Sequence, residues 1–232
     1  KKFKRKIEDI LSSKNINKIK YRDYSSSNGN LSFFGKYLLD NDGISRVLYP
    51  QIIDLSQDEK IIHSNITKSC RNNINWGLKN LLINIFNYKN VTIEDFKILK
   101  KLHKKEAGKI TRSSKTWDIQ YRLIKNNEAF LINAIYNNQP VSSALFLNNN
   151  EYCLYGVSAS DRDLFQKPLS HALIWNAILH SKKLKCKFFD FSVLSYRNTG
   201  SDIVEQKEKN INRFKKSFGG KTKSQILIQL DL

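Results

Sequence analysis

The pattern of apolar and polar residues predicts helices and strands that alternate along most of the chain. Apolar residues recur with helical spacing after Thr92, which we expect to cap a helix that ends near Gly108. Asparagine-rich turns separate three predicted strands, which span residues 129–136, 140–147 and 152–157. The other predicted helices span 60–80, 116–125, 168–179 and 203–218, and the other predicted strands span 51–55, 81–86, 188–191 and 225–230. Such an antiparallel meander leading into an α/β crossover predicts a mixed sheet, and therefore an α/β (α+β mixed sheet) fold class.

The N-terminal region gives weaker signals. Residues 1–22 are expected to form a helix or a basic arm, and residues 31–39 a strand or a short helix. The turn at 41–43 predicts a hairpin into residues 45–49. Ser56, with Glu59 three residues later, predicts a capping box at the start of the 60–80 helix.

Composition narrows the class of protein. The chain has 232 residues, of which 40% are hydrophobic and 26% charged, so we expect a globular protein with a sizeable core. Its apolar runs are far shorter than the ~20 residues of a membrane helix, and no signal peptide is visible. Three widely spaced cysteines argue against a disulfide framework and a zinc site, and predict a reducing, cytoplasmic compartment. Because methionine is absent even at position 1, we expect a fragment or a processed form.

The net charge of +19 has two interpretations. It favours an anionic partner such as tRNA, a nucleotide-sugar or an acidic membrane surface. It also fits the lysine-rich usage of an AT-rich genome, because the basic residues are spread along the chain outside residues 1–6 and 207–223. No DNA partner is expected.

The helix that begins near a proline at position 168 provides one candidate site. Ser170 and His171 fall in its first turn, where free N–H groups and the positive end of the helix dipole suit a phosphate or an oxyanion. Arg162 and Lys167 would add positive charge, and His171 could act as a general base or as a phosphate donor. In the alternative interpretation, Ser170 only caps the helix and His171 packs against Trp175.

A second group of candidates lies earlier in the chain. Arg112 could clamp a carboxylate or a phosphate and Trp117 could stack on a sugar or a base, unless they form a helix staple and a core residue. Glu106 and His103 could activate an amine or could be exposed polar residues of a helix. Tyr155 could protonate a leaving group or simply pack in the core.

Several short motifs have the order and spacing of one transferase family: Ile66–Ile74, Leu102–Gly108, Arg112–Trp117, Tyr155–Ser160, Pro168–His171 with Trp175, Phe188–Asp190 and Phe214–Gly220. With the order of elements, they resemble the GNAT N-acetyltransferases, and in detail the FemAB-related branch, whose best-known members are aminoacyl transferases of peptidoglycan synthesis. The resemblance covers about residues 50–225.

The resemblance implies a GNAT-like fold with a small N-terminal appendage. Residues 1–88 would form a partial lobe with a basic helix, and residues 89–232 the transferase domain. The implied activity is transfer of an acyl or aminoacyl group to an amine of a cell-envelope precursor (an amino sugar, a nucleotide-sugar or a peptide), without a metal. Within that site we expect catalytic roles for His171, Tyr155 and Glu106, donor binding by Arg162, Lys167 and Ser170, and acceptor binding by Arg112 and Trp117.

The acyl donor stays open between aminoacyl-tRNA and acyl-CoA. GNAT enzymes usually grip the CoA pyrophosphate with a glycine-containing loop, and residues 162–170 contain no glycine. The alternatives are a CoA-dependent N-acetyltransferase with a non-standard pyrophosphate loop, a non-catalytic basic domain that binds tRNA or anionic lipid, and half of a larger transferase. Peripheral contact with the inner face of an anionic membrane is compatible with each of them.

Overall fold

The computed structural model describes residues 2–13, 16–197 and 203–232, which fall into two compact units. The larger unit comprises residues 51–192 and 212–221, and the smaller comprises 1–50, 193–211 and 222–232. The larger unit therefore begins before the expected domain boundary at residue 88. Residues 198–202, between the strand predicted at 188–191 and the helix predicted at 203–218, lie outside the described residues.

The helices and strands follow the predicted order closely. The helices are α1 (Lys2–Ser13), α2 (Phe33–Leu39), α3 (Glu59–Ser64), α4 (Lys68–Asn80), α5 (Ile93–Ala107), α6 (Ser114–Lys125), α7 (His171–Lys183) and α8 (Gln206–Ser217). The strands are β1 (Lys18–Asp23), β2 (Ile44–Leu48), β3 (Pro50–Asp54), β4 (Leu82–Phe86), β5 (Ala129–Tyr136), β6 (Gln139–Asn148), β7 (Tyr152–Ser160), β8 (Phe188–Val193), β9 (Lys221–Thr222) and β10 (Gln225–Asp231).

The central sheet is mixed, which confirms the predicted fold class. Its strand order is β4-β5-β6-β7-β8-β3-β9. Strands β4 to β7 pair antiparallel, whereas β7 and β8 pair parallel because α7 crosses over between them. Side chains alternate along β5, so that Phe130 and Ile132 join a core cluster with α4 and α7, while Leu131 joins another with α5 and α6. Helices thus cover both faces of the sheet.

Two local predictions at helix starts have different outcomes. Thr92 and Asp95 form the reciprocal capping box that begins α5, and Gly108 ends the helix with a φ of 68°. The capping box predicted at Ser56 is wrong, because its hydroxyl donates to the Asp54 carboxylate 2.7 Å away. Asp58 instead caps α3 by accepting a hydrogen bond from the backbone N–H of Lys60.

Two longer-range predictions also fail. The helix predicted over 60–80 is interrupted after Ser64, because Thr67 caps a new helix, α4, through its hydroxyl. The hairpin predicted at 41–43 does not form: the turn follows α2, and β2 pairs with β10 near the other end of the chain. The residue types at 41–43 correctly predict the turn. The strand that pairs with β2 is distant in sequence, however, and no local pattern reveals it.

Helices α4 and α7 pack closely against each other in the core on one face of the sheet. A Cβ atom placed on Gly77 of α4 would lie 2.5 Å from the Cβ atom of Ala172 in α7. Atoms at that separation overlap, so the two helices can pack at this distance only because position 77 lacks a side chain.

Replacing Gly77 with valine is expected to lower the free energy of unfolding by about 2–3 kcal/mol, because an overpacked core must shift its backbone. Urea unfolding followed by circular dichroism would measure the change. Asn75→Val is the matched control, since Asn75 is an exposed residue of the same helix and valine there costs only a few tenths of a kcal/mol. Equal stability of the two variants would contradict the close packing of α4 and α7.

The smaller unit contains a three-stranded antiparallel sheet of order β1-β10-β2. Leu38 of α2 packs on Ile228 and Leu230 of β10. Asp23 is fully buried and accepts hydrogen bonds from the backbone and hydroxyl of Ser32. Among the described residues, no helix has both the length and the hydrophobicity needed to cross a membrane.

Candidate active site

The site begins where the two parallel strands stop pairing. The paired residues run from Tyr152 with Phe188 to Leu154 with Asp190, although β7 continues to Ser160 and β8 to Val193. A β-bulge at Gly156 also shifts the register between β6 and β7. Tyr155, the first residue beyond the last pair, therefore lies at the opening between the strands.

A pocket of about 290 Å³ lies beside this opening. It brings together five of the eight predicted site residues: Glu106, Tyr155, Lys167, Ser170 and His171. The remainder of the lining includes Ser158, Ser160, Phe165, Pro168, Leu169 and Phe214. Residues that carry carboxylate, phenol, hydroxyl, ammonium and imidazole groups thus line one cavity, although they come from three separate segments of the chain.

Tyr155 is held as a protonated phenol. Burial raises its pKa to about 12, and the nearby Glu106 carboxylate adds to the increase. The hydroxyl of Tyr155 donates a hydrogen bond to Oγ of Ser158, which opposes part of the shift. At neutral pH the phenol therefore retains a proton that it can deliver to a ligand in the pocket.

Glu106 is fixed at the end of α5. Its Oε2 atom accepts a hydrogen bond from the backbone N–H of Ser160, at 2.9 Å. The adjacent Lys105 ammonium lies 2.6 Å from a carboxylate oxygen of Asp161 and 2.6 Å from one of Asp163. These contacts tie the last turn of α5 to the end of β7 and orient the carboxylate into the pocket.

His171 begins α7, three residues after the proline that was expected to start it. Its Nε2 atom lies 3.3 Å from Nδ2 of Asn73, and its ring contacts Phe214 and Phe218, with centroid distances of 5.2 and 5.8 Å. The predicted packing against Trp175 is wrong, because Trp175 contacts His63 instead.

The surroundings of His171 favour a neutral ring. Burial lowers its pKa to about 4, and the Pro168 carbonyl opposes part of that decrease. If the Asn73 amide donates to Nε2, the ring proton sits on Nδ1, which is buried beside the Pro168 carbonyl. This arrangement suits a hydrogen-bond donor better than the general base that the sequence also suggested.

The residues predicted to bind the donor differ in position. Ser170 occupies the N-cap position of α7 but makes no capping hydrogen bond, so the alternative in which it only caps the helix is wrong. The Lys167 ammonium lies over the rings of Trp76 and Tyr136, 5.7 and 5.3 Å from their centroids. Arg162 is exposed in a short 3₁₀ turn and does not line the pocket.

Arg112 and Trp117 lie in a separate concave region of about 620 Å³, beside the end of α5. Trp117 is only 4% exposed, and Phe96, His103 and the Arg112 guanidinium surround its ring. The predicted stacking of Trp117 on a ligand is therefore not available in this arrangement. Burial, followed by the charge of Arg112, lowers the pKa of His103, whereas Glu106 acts in the opposite direction. His103 thus lies within electrostatic reach of both Arg112 and the pocket carboxylate.

Several residues of the site were not singled out from the sequence as candidates. Asn73, Ser158 and Ser160 contact predicted site residues, but each depends on a long-range contact or on the bulge in β7. Their polarity within otherwise buried elements is the only signal that could have indicated them. The three cysteines are buried and burial raises their thiol pKa values, which agrees with the prediction that none is a nucleophile.

Comparison with solved structures identifies the fold. FemX is similar over 99% of this chain and 76% of its own, with a TM-score of 0.69 and 11% sequence identity. The chain has the GNAT-like fold of the FemAB-related acyltransferases. No protein-family model and no curated protein sequence matches it.

Two other structures share this FemAB-like fold. One is the C-terminal domain of a protein described as a lysylphosphatidylglycerol synthetase from Agrobacterium fabrum, with a TM-score of 0.63, 11% identity and coverage of 85% of this chain. The other is L-PGS from Bacillus licheniformis, with a TM-score of 0.56, 11% identity and 83% coverage. The chain spans 64% of the length of each. At such low identity, these similarities show the fold alone.

Proposed function

We propose that the protein transfers an acyl or aminoacyl group to an amine of a cell-envelope precursor. The observation that carries this proposal is the meeting of a protonated Tyr155 and the Glu106 carboxylate in one pocket at the opening between β7 and β8. Acyl transfer to an amine needs a group that accepts a proton from the nucleophile and another that protonates the leaving group. The pocket contains one of each.

The proposed reaction follows from their positions. The amine nitrogen attacks the carbonyl carbon of an activated ester or thioester, and a carbon–nitrogen bond forms while the carbonyl π electrons move to oxygen. Glu106 accepts the excess proton of the amine, directly or through a water molecule. When the tetrahedral intermediate collapses, the carbonyl re-forms, the carbon–oxygen or carbon–sulfur bond breaks, and Tyr155 protonates the departing atom. Glu106 then releases its proton to solvent and the phenolate takes one up, which restores both groups.

The start of α7 would stabilise the negative charge that develops on the carbonyl oxygen. Ser170 offers a hydroxyl, and the first turn of the helix presents N–H groups without intrahelical acceptors. Lys167 would bind a phosphate of the donor, since this residue lines the same pocket. Both aminoacyl-tRNA and acyl-CoA carry phosphates, and the name of one similar structure, which refers to a lysylphosphatidylglycerol synthetase, favours the aminoacyl donor.

A ligand screen by thermal shift would test the function and identify the donor. Acetyl-CoA, longer acyl-CoAs, UDP-sugars and aminoacyl-tRNA are added separately, and a true ligand at a hundredfold excess over its Kd stabilises the protein by about 2.7 kcal/mol. Stabilisation by aminoacyl-tRNA, followed by transfer of a labelled amino acid to an amine, supports the proposal. Stabilisation by CoA alone favours the CoA-dependent alternative, and binding without any transfer favours a non-catalytic domain.

The roles of Lys167 and Arg162 in donor binding can be separated. Lys167→Gln is expected to raise the Kd of the donor about tenfold, because it removes a charge-assisted hydrogen bond to phosphate. Arg162→Gln removes the same charge from an exposed position outside the pocket and is expected to change the Kd less than twofold, a small surface electrostatic effect. Isothermal titration calorimetry measures both values. An equal loss in the two variants would place donor binding outside this pocket.

A further inference from the structure

The outer face of α5 carries a concentration of positive charge that the proposed reaction does not use. We call this surface the basic groove, and it is formed by Lys97, Lys100, Lys101, Lys104, Lys109 and Arg112. Lys97 pairs with Glu94 at 2.6 Å, but the other four lysines form no ion pair within the described part of the chain. Unpaired cations that follow one helix face raise the local positive potential and attract an anionic partner.

An exposed apolar residue also lines the basic groove, just beyond the C-terminal end of α5. Ile110 follows the glycine that ends α5, stands two residues before Arg112, and is 75% exposed. Lys109 precedes it directly, so the isoleucine side chain is flanked by cations. An exposed apolar residue with basic neighbours is the arrangement by which peripheral proteins insert into the interface of an anionic bilayer.

The aromatic content of the groove argues against single-stranded nucleic acid as the partner. Proteins that bind single strands offer exposed aromatic rings on which bases stack. The aromatic residue that lines the groove with the lysines is Trp117, and it is buried with Phe96, His103 and Arg112 around its ring. Ile110 therefore provides the exposed apolar contact, which matches an acyl-chain boundary rather than a base.

We propose that the basic groove docks the protein on an anionic lipid bilayer, with the lysines on the lipid phosphates and Ile110 inserted between the headgroups. The last turn of α5 carries Lys104 on the groove and Glu106 in the candidate active site. The docking itself stands on the groove alone and does not depend on the proposed transfer reaction.

Vesicle sedimentation tests the proposal with the full chain. Anionic vesicles contain phosphatidylcholine with about 30% phosphatidylglycerol, which gives a surface charge of roughly physiological size. The fraction of protein bound to them is compared with the fraction bound to vesicles of phosphatidylcholine alone. Binding is expected only to the anionic vesicles and is expected to weaken steeply between low and high salt, because salt screens surface charges. Equal binding to both kinds of vesicle, or none to either, would overturn the proposal.

Substitutions then locate the surface. Changing Lys100, Lys101, Lys104 and Lys109 to glutamine is expected to lower the partition coefficient roughly 600-fold, since each lysine near the surface contributes about fivefold. Four exposed lysines elsewhere in the larger unit, Lys68, Lys79, Lys183 and Lys185, are changed to glutamine as a control with the same net charge. If the control loses as much binding as the groove variant, the attraction is diffuse and the groove is not the docking surface.

The apolar contribution is tested separately. Ile110→Ser is expected to reduce partitioning by about fivefold without changing the dependence on salt, because it removes apolar burial and no charge. Ile61→Ser, at another exposed position, should have no effect. A different outcome would assign the groove to nucleic acid. In that case a tRNA displaces the protein from the vesicles, and Ile110→Ser binds that tRNA with the same affinity as the wild type.

Discussion

Replacing Tyr155 with phenylalanine is expected to lower the rate of acyl transfer by a factor of about 10²–10⁴, the usual contribution of a positioned general acid. The substitution removes one oxygen atom and leaves the aromatic packing against Phe146 and Phe191 in place. Because the phenol protonates the leaving group, the loss should fall on kcat rather than on KM. Steady-state kinetics with the donor found in the thermal-shift screen would measure it.

Tyr121→Phe provides the matched control for that experiment. Tyr121 is also half-buried beside an aromatic residue, Phe96, but it belongs to α6 and does not line the pocket. Loss of the Tyr121 hydroxyl is expected to change kcat less than about twofold, because a substitution distant from the pocket usually has only a small effect. Full activity of Tyr155→Phe would exclude the phenol as the acid, while leaving the docking of the groove on lipid untouched.

The buried His171 is expected to make the protein sensitive to acid. The pKa of His171 is about 4 in the folded protein and 6.5 in the unfolded chain, where the ring is exposed to water. As the pH falls below 6.5, the ring therefore takes up a proton in the unfolded chain but not in the folded protein. The contribution of the neutral His171 ring to the free energy of unfolding is therefore fully present above pH 6.5 and declines as the pH falls toward 4. Between pH 7.5 and 4.5, this single group is expected to remove about 2–3 kcal/mol from the free energy of unfolding.

Comparison with His171→Gln isolates that contribution. The variant has no titrating ring at position 171, so its free energy of unfolding should fall by about 2–3 kcal/mol less than that of the wild type over the same pH range. Urea unfolding at several pH values gives the two curves, and NMR titration of the His171 ring gives its pKa directly. Parallel curves for the two proteins would mean that the ring is accessible enough to be protonated in the folded state.

Local chemistry accounts for most of the fold that was predicted from the sequence. The capping box at Thr92, the glycine that ends α5 and the asparagine turns between β5, β6 and β7 are signals within a few residues of each other. Two failures were local, since Asp58 rather than Ser56 caps α3 and Thr67 starts a new helix within the predicted 60–80 span. The pairing of β2 with β10 and the contact between Gly77 and Ala172 depend instead on partners that are distant in sequence. Neither leaves a pattern in the local spacing of residues.

The candidate site divides in the same way. His171, Ser170, Lys167 and Tyr155 stand near recognisable punctuation in the sequence, and the pocket unites them. The contact of His171 with Asn73 could not be anticipated, because Asn73 lies in a helix about a hundred residues earlier. Burial likewise decides that Trp117 is a core residue, and side-chain type alone does not reveal burial.

The position of Lys167 gives the protein an internal optical reporter. Of its three tryptophans, Trp117 and Trp175 are 4% and 5% exposed and are held within the core, whereas Trp76 is half-buried with the Lys167 ammonium above its ring. A donor phosphate that draws the ammonium away removes a charge from the indole and alters its emission. The intrinsic fluorescence of the unlabelled protein should therefore follow donor binding in real time, and stopped-flow mixing would resolve occupation of the pocket from the chemistry that follows it.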